Sequence, residues 1–499
     1  MTLTTCTTLG ALAPDYDLII VGAGPAGLAA ALEAVPAGVS VLVLDEHPGP
    51  GGQMYRALTR NAPEAFGFLG PDYWRGAALV EAFLACPVQY APRATVWSLQ
   101  PGTDGPDPGL EVGVSQGGEA RLLRARQVIL ALGGQERPMP IPGWTLPGVM
   151  LAGAGQIALK SAGLVPKGKV VLAGCGPMLY LLAGQLLDAG CAPSAILDTT
   201  RPGQWLRALP RLPGLLASAY FWKGLKVLLK VRTSVPFIRG VKALEALGTG
   251  QVERLRFRTG GRWRELPADL VLLHQGVVPE LSLSGAAGCE LEWNPRQRAF
   301  QPRHDGSGRT SVPGVSVAGD GGAVAGALMA EVTGRLAAIS ALAALGALDP
   351  ARRAERERPL VRELRRLRRG RPFLDLLYQS REAFRIPPDD STIVCRCEEV
   401  RAGQVRSAIA LGAPGPNQLK AFLRCGMGPC QGRLCALTVT EMMAAQRRMD
   451  PGAVGIFRAR IPVKPITLGE MASLPATPEA LVACTGAATP LAASLTTQR

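Results

Sequence analysis

The sequence predicts an α/β protein with a separate small module. Three observations carry this. Helix-like and strand-like segments alternate along most of the 499 residues. A strand, glycine turn, helix and strand at 17–46 return as a second copy at 169–198. Five of the eleven cysteines crowd between Cys395 and Cys435, beyond both copies. A chain of this length exceeds one ordinary core and implies two to four domains.

The first copy reads DLIIVGAGPAGLAAALEAVPAGVSVLVLDE. Leu18, Ile19, Ile20 and Val21 form the apolar run of a buried parallel strand. Gly22, Gly24 and Gly27 follow in GxGxxG spacing, with Pro25 and Ala26 opening the helix. The first glycine permits the tight turn, the second lets backbone approach a pyrophosphate, and the third lets helix and strand pack closely. The helix aims its unpaired N–H groups at that pyrophosphate. Val41 to Leu44 read as the second strand, ending in Asp45 and Glu46, where a carboxylate can accept from a ribose hydroxyl. A plain glycine turn needs none of these flanking features, so a dinucleotide site is expected.

After Glu46, Gly51 and Gly52 form another close-approach loop that ends in Gln53. In many flavoproteins a GGQ here lies along the FAD; a plain turn is the alternative. Residues 85–127 read as a strand meander with turns such as Pro101 to Pro108. Gln127 to Gly134 is a buried strand with Gly133 and Gly134 at its end, similar to the ATG-type closing turn of two-domain reductases, with Ala131-Leu132-Gly133 in its place. A proline-rich crossover follows at 136–156. Far downstream, 314–342 carries a strand ending at Gly319-Asp320 and a helix soon after. Asp320 is placed to accept from a flavin ribitol hydroxyl, or to cap that helix.

In the second copy Gly174 and Asp198 lie 24 positions apart, against 23 for Gly22 and Asp45. Gly174 and Gly176 are kept, but the third glycine is Leu179, which forces the helix from the strand or changes its packing. NAD(P)(H), another adenine nucleotide and a purely structural role all stay open for this unit. Cys175 sits in the turn with no CxxC, which argues against a disulfide-reductase mechanism. Residues 262–280 are expected to lead back into the first domain. There His274, one of three histidines, is a satisfied core residue or a catalytic group near the flavin ring.

The formal charge of +15 is concentrated. Residues 351–371 hold ten arginines and three glutamates, contributing +7, with Leu360, Leu364 and Leu367 at helical spacing. A solvated helix, docking to an acidic partner and docking to an anionic membrane surface are its three readings. Without zinc-finger spacings or an aromatic platform among basic residues, nucleic-acid binding is not expected. The first residues lack a basic n-region and a long apolar core, and no run of about 20 apolar residues appears, so neither a secretory signal nor a spanning helix is expected. The expected compartment is the cytoplasm.

Cys395 and Cys397 form a CxC, and Cys430 and Cys435 a CxxxxC, with 32 residues between the pairs. Thiolates at this density suit an iron–sulfur cluster or zinc; the lack of CxxC pairs favours a 2Fe-2S cluster. Cys425, five residues before Cys430, makes Cys425/Cys430 a rival second pair.

Taken in order, GAGPAG, GGQMYR, ERPMPIPGWTLPGVM, GCGP, LLHQGVVP, AGD, CRCEEV, GMGPCQGRLC and RARIPVKPITLGE resemble the FAD-containing α-type subunits of heteromeric amino-acid and amine dehydrogenases. That group includes opine oxidases, D-hydroxyproline and L-proline dehydrogenases and hydrogen cyanide synthase. The resemblance covers about residues 15–472. It implies FAD held by Gly22, Gly24, Gly27, Asp45, Gly52, Gln53 and Asp320. It implies a 2Fe-2S module like bacterioferritin-associated ferredoxin, with Cys395, Cys397, Cys430 and Cys435 as ligands. It also implies a β-type flavoprotein partner carrying the amine-oxidising site, and with it a hetero-oligomer to which a small ferredoxin-like subunit can belong.

The expected architecture is thus two dinucleotide-binding, Rossmann-like domains of the two-domain flavoprotein reductase type plus a small helical 2Fe-2S domain. The divisions are 15–160 (first segment of the FAD-binding domain), 165–255 (inserted second domain), 256–348 (second segment of the FAD-binding domain), 349–390 (basic linker), 391–450 (2Fe-2S) and 451–499 (C-terminal extension). The expected function is electron transfer within an amine dehydrogenase, with peripheral attachment at the inner membrane face. A self-sufficient NAD(P)H-dependent flavin oxidoreductase and a cluster scaffold are the alternatives.

Overall fold

The computed structural model describes residues 3–102 and 109–475. Most of the turn expected at Pro101 to Pro108, and the end of the C-terminal extension, lie outside the described residues. The first sheet has eight strands. Thr4–Thr5, Gln89–Pro92, Val41–Asp45, Asp15–Val21 and Glu119–Leu130 run parallel in that spatial order, and Val315–Val317 adds to Glu119–Leu130. Leu110–Gln116 and Thr95–Pro101 extend the sheet antiparallel, as the meander predicts. Leu18, Ile19 and Ile20 are fully buried because helices or strands cover both faces of the sheet.

The helices Pro25–Ala34 and Ala327–Ala344 lie against each other on one face. Small residues permit this: a methyl group on Gly334 would overlap the Ala26 carbonyl. Ala327–Ala344 is long and apolar enough to cross a bilayer by length and composition, but most of it is buried here as the central helix of the fold.

The second sheet is all parallel, in the order Phe237–Ile238, Ala195–Asp198, Val170–Gly174, Leu270–His274, Val149–Leu151. This corrects the divisions at 165 and 255. Val149–Leu151 precedes 165 and Leu270–His274 follows 255, yet both are strands of the second sheet. The segment 262–280 therefore does not run straight back to the first domain; the return begins after His274, where Val277–Pro279 pairs with Gly134–Glu136. An apolar parallel strand looks the same whichever sheet it joins, so only its pairing partner reveals the boundary.

The basic segment forms the helix Pro350–Arg368, capped by Asp349, whose carboxylate accepts from the Ala351 and Arg352 amides at 3.0 Å. Leu360 and Leu364 are buried against Leu336, Ile339 and Leu342, and Leu367 packs at the edge. At about 1.5–3 kcal/mol per buried leucine, this seam holds the helix to the fold. Arg356 adds an ion pair to Glu33 at 2.7 Å. The cysteine module packs Ala402–Ala410, Pro416–Leu423 and Ala436–Arg447 around Val394, Val405, Leu419 and Met443. The chain then returns over the first sheet, where the Val463 amide donates to Trp97 O at 2.9 Å.

Candidate cofactor sites

Three backbone segments converge at the first glycine turn. Gly22 has φ +106°, and a methyl group there would overlap the Ala131 carbonyl. A methyl on Gly27 would overlap the Gly22 carbonyl, so helix and turn are in direct contact. Gly52, at φ +58°, approaches Gly24 so closely that an added Cβ would lie 2.8 Å from the Gly24 Cα. Across the cradle Gly133 has φ +73° with no heavy atom within 4 Å of an added Cβ. Gly24 caps the helix, Pro25 is its first residue, and Ala26 meets Gly319 from the other half of the domain. The cradle fits FAD: Gly22, Gly27 and Gly52 let turn, helix and GGQ loop come into direct contact, and Gly24 and Gly133 leave bare backbone where a dinucleotide needs space.

The acids divide differently from the expectation. The buried Asp45 turns inward: Oδ2 accepts from the Ala23 amide at 2.5 Å, and Oδ1 from the His47 amide at 2.7 Å. It stitches the glycine turn to the strand end and does not face a ribose. Glu46, the next residue, points outward and pairs with Lys464. Asp320 does cap: Oδ1 accepts from the Ala325 and Gly326 amides at 2.8 and 3.0 Å. Its Oδ2 has no protein donor among the described residues.

Sequence reasoning missed Lys160. Its buried ammonium donates to Gln53 O at 3.0 Å and Met54 O at 3.2 Å, so the second domain grips the GGQ loop. Burial, with Arg56 nearby, pushes it down to about 8. A lysine in the otherwise uncharged stretch GQIALKSAG was the available signal.

The second glycine turn is covered by the chain itself. The buried Cys175 thiol lies 3.5 Å from Tyr378 O and 3.6 Å from Gln275 Oε1. Ser380 Oγ donates to Gln275 Oε1 at 2.7 Å, and Arg381 donates to Thr200 O at 2.7 Å, just past Asp198. Tyr378–Arg381 therefore spans the turn and the strand end, where a dinucleotide would place pyrophosphate and ribose. Leu179 is fully buried in the helix Pro177–Asp188. His274 belongs to this second site and not to the flavin: it is 2% exposed, its carbonyl abuts Gly174, and Nδ1 contacts Glu136 Oε1. Glu136 Oε2 accepts from the Gly153 amide at 2.6 Å, so His274 and Glu136 staple the crossover to the second sheet.

The cysteines sort into a buried trio and a neighbouring pair. Cys395, Cys425 and Cys435 are buried with sulfurs within 4.8 Å of one another. Cys397 and Cys430 are half-buried and face each other. The four expected ligands thus surround one place, and Cys425 stands among them. Five soft thiols with few competing donors suit an iron–sulfur cluster.

This module is fastened to the flavoprotein core. Gln135, two residues past Gly133, donates to Arg433 O at 2.9 Å, inside the Cys430–Cys435 loop. Trp144 donates to Ile393 O at 2.7 Å. Glu441, 2% exposed, meets Arg137 at 3.6 Å, Arg298 at 3.7 Å, and Arg385.

Fold and sites together define a two-dinucleotide-domain flavoprotein with a ferredoxin-like module. Comparison agrees: residues 16–335 match the pyridine nucleotide-disulphide oxidoreductase family, and 393–445 match the BFD-like 2Fe-2S binding domain. The chain belongs to that oxidoreductase family; it is an FAD-dependent oxidoreductase whose second cofactor is a 2Fe-2S cluster. It is 53% identical to the A subunit of opine oxidase from Rhizobium meliloti, over 97% of this chain and 93% of that one. It is 31% identical to hydrogen cyanide synthase subunit HcnB of Pseudomonas aeruginosa, over 91% and 98%. In fold it resembles L-proline dehydrogenase from P. horikoshii, at a TM-score of 0.68 and 18% identity, covering 94% of this chain and 80% of that one.

Proposed function

We propose that the chain is the electron-transfer subunit of a multi-subunit dehydrogenase that oxidises an amine or amino acid: an opine, proline or hydroxyproline, or glycine. A β-type flavoprotein partner removes the hydride, and electrons leave for an acceptor; a small ferredoxin-like subunit is a further candidate member. Bound FAD exchanges electrons in pairs or singly, and the cluster singly. The chain's own residues position and insulate these groups. The first turn, the GGQ loop and Gly133 form the cradle; Glu46 is the outward acid for a ribose, and Asp320 Oδ2 is free for a ribitol hydroxyl. The observation that carries the reading is the contrast between this open cradle and the covered second turn, with the cysteine loop bonded to Gln135 beside the first. No described residue set places a substrate catalyst at the cradle, which suits a subunit whose partner does the C–N oxidation.

The test is co-expression with a candidate partner subunit, followed by anaerobic addition of an opine. Reduction of this chain's cluster, read by electron paramagnetic resonance, is expected with the partner and not without it. Cluster reduction by the opine in the isolated chain would overturn the division of labour.

For the ligand set, Cys395, Cys397, Cys430 and Cys435 hold the cluster and Cys425 stands in reserve. Cys425→Ser keeps about two irons per chain. Cys435→Ser keeps them with a changed resonance spectrum, because Cys425 replaces the lost thiolate, and the double variant loses both. Iron loss in Cys425→Ser alone would make Cys425 an obligatory ligand.

A further inference from the structure

Residues 199–244 contain nine lysines and arginines and not one aspartate or glutamate. Within them lie three consecutive helices: Gln204–Ala208 and Leu212–Leu216 pack on the helix Arg371–Leu377, and Ala219–Ser234 packs on Leu212–Leu216 and on Pro177–Asp188. Their inner side is satisfied: Ala208 and Leu215 are buried with Phe373, and Gln204 donates to Leu376 O at 2.7 Å. Their outer side carries several large exposed apolar side chains within about thirty residues of chain. Trp222 is 70% exposed, Trp205 and Leu206 are 56%, and Leu229 is 55%. On the longest helix Trp222, Leu225 and Leu229 fall at helical spacing on one face. Isolated exposed apolar residues need no explanation, but such a cluster does.

We propose that the outer face of 203–234 docks on an anionic lipid bilayer. Charge complementarity selects this occupant. Lys223 is paired with Asp72 at 2.6 Å, and Lys230 with Asp188. Arg207, Arg211 and Lys226 are exposed, have no ion pair among the described residues, and alternate along the chain with the exposed Leu206, Leu209, Leu216, Leu225 and Leu229. A lipid surface offers phosphates and acyl chains side by side, which suits cations and indoles interleaved on short helices lying flat. The arginine-rich helix Pro350–Arg368 is the weaker candidate, because its leucines are buried against the core and none is left to insert. The proposal rests on this surface alone and not on the identity of the oxidised amine.

The test is vesicle co-sedimentation of the flavin-loaded full chain. Vesicles of phosphatidylcholine with phosphatidylglycerol are compared with phosphatidylcholine alone. Pelleting is expected only with the anionic vesicles, weakening as salt rises. Trp205→Ser/Trp222→Ser and Arg207→Glu/Arg211→Glu/Lys226→Glu each reduce it about tenfold or more while flavin content is unchanged. Arg365→Glu/Arg366→Glu on the other basic helix pellets like the wild type. Equal pelleting with both vesicle types, or patch variants that pellet normally, would overturn the proposal. So would patch variants that bind vesicles normally but lose a partner subunit, since the face would then be a protein interface.

Discussion

The turns Gly22–Gly27 and Gly174–Leu179 follow matching parallel strands and begin matching helices, but their surroundings differ. The first looks toward Gly133, where an added Cβ would meet no heavy atom within 4 Å. The second is bridged by Tyr378–Arg381, which bonds to the Cys175 thiol, the Gln275 side chain and the Thr200 carbonyl. The third glycine accounts for some of the difference. At Gly27 helix and turn touch so closely that no Cβ fits; at Leu179 a full side chain is packed there. The fold has kept one copy as a cofactor cradle. The mouth of the other is crossed by the segment leading to the cysteine module.

The largest expected effect separates the two turns directly. Gly27→Ala forces a methyl into the Gly22 carbonyl and removes bound flavin, read as flavin absorbance of the purified chain. Leu179→Ala keeps the flavin and costs about 2–5 kcal/mol in denaturant unfolding, as a buried leucine truncation does. Flavin loss in both would erase the distinction.

Next comes the anchor of the covering segment. Arg385 lies just beyond it and is held by Glu441 together with Arg137 and Arg298. Glu441→Gln leaves three buried or half-buried guanidiniums without their shared carboxylate. It should cost about 3–5 kcal/mol, with faster proteolysis around 378–390 as the segment loosens. Unchanged stability would mean the cluster is solvated and the cover is held elsewhere.

The smallest effect concerns Lys160, the second domain's grip on the first cradle. Its folded value of about 8 lies below the ordinary 10.5. Between those values the unfolded chain binds a proton that the folded chain does not, so this site's contribution to stability rises with pH from about 8 to about 10.5. Lys160→Met removes that slope. Parallel stability–pH curves for the two proteins over this window would contradict the assignment.

The first cradle was legible because its glycines answer steric needs that any chain making this turn must meet. Asp45 was misplaced because spacing locates a carboxylate at a strand end without saying which way it faces; the Ala23 and His47 amides turn it inward. The boundaries at 165 and 255 failed for a related reason, since Val149–Leu151 and Leu270–His274 carry no mark of the sheet they join. His274 was drawn toward the flavin by that same error. The cover over the second turn could not be read at all: YQSR is an ordinary sequence, and its role comes from where the long crossing from Arg368 brings it. The cysteines showed their chemistry but not their grouping, because five thiols on short turns can be sorted only in three dimensions.

The most direct measurement is rapid anaerobic mixing of the flavin-loaded chain with NADH. With the second turn closed by Tyr378–Arg381, the flavin absorbance stays unbleached on the timescale of turnover, while dithionite reduces flavin and cluster alike. Fast, saturable bleaching by NADH would show that the second turn takes a nicotinamide after all, and the chain would be a self-sufficient reductase.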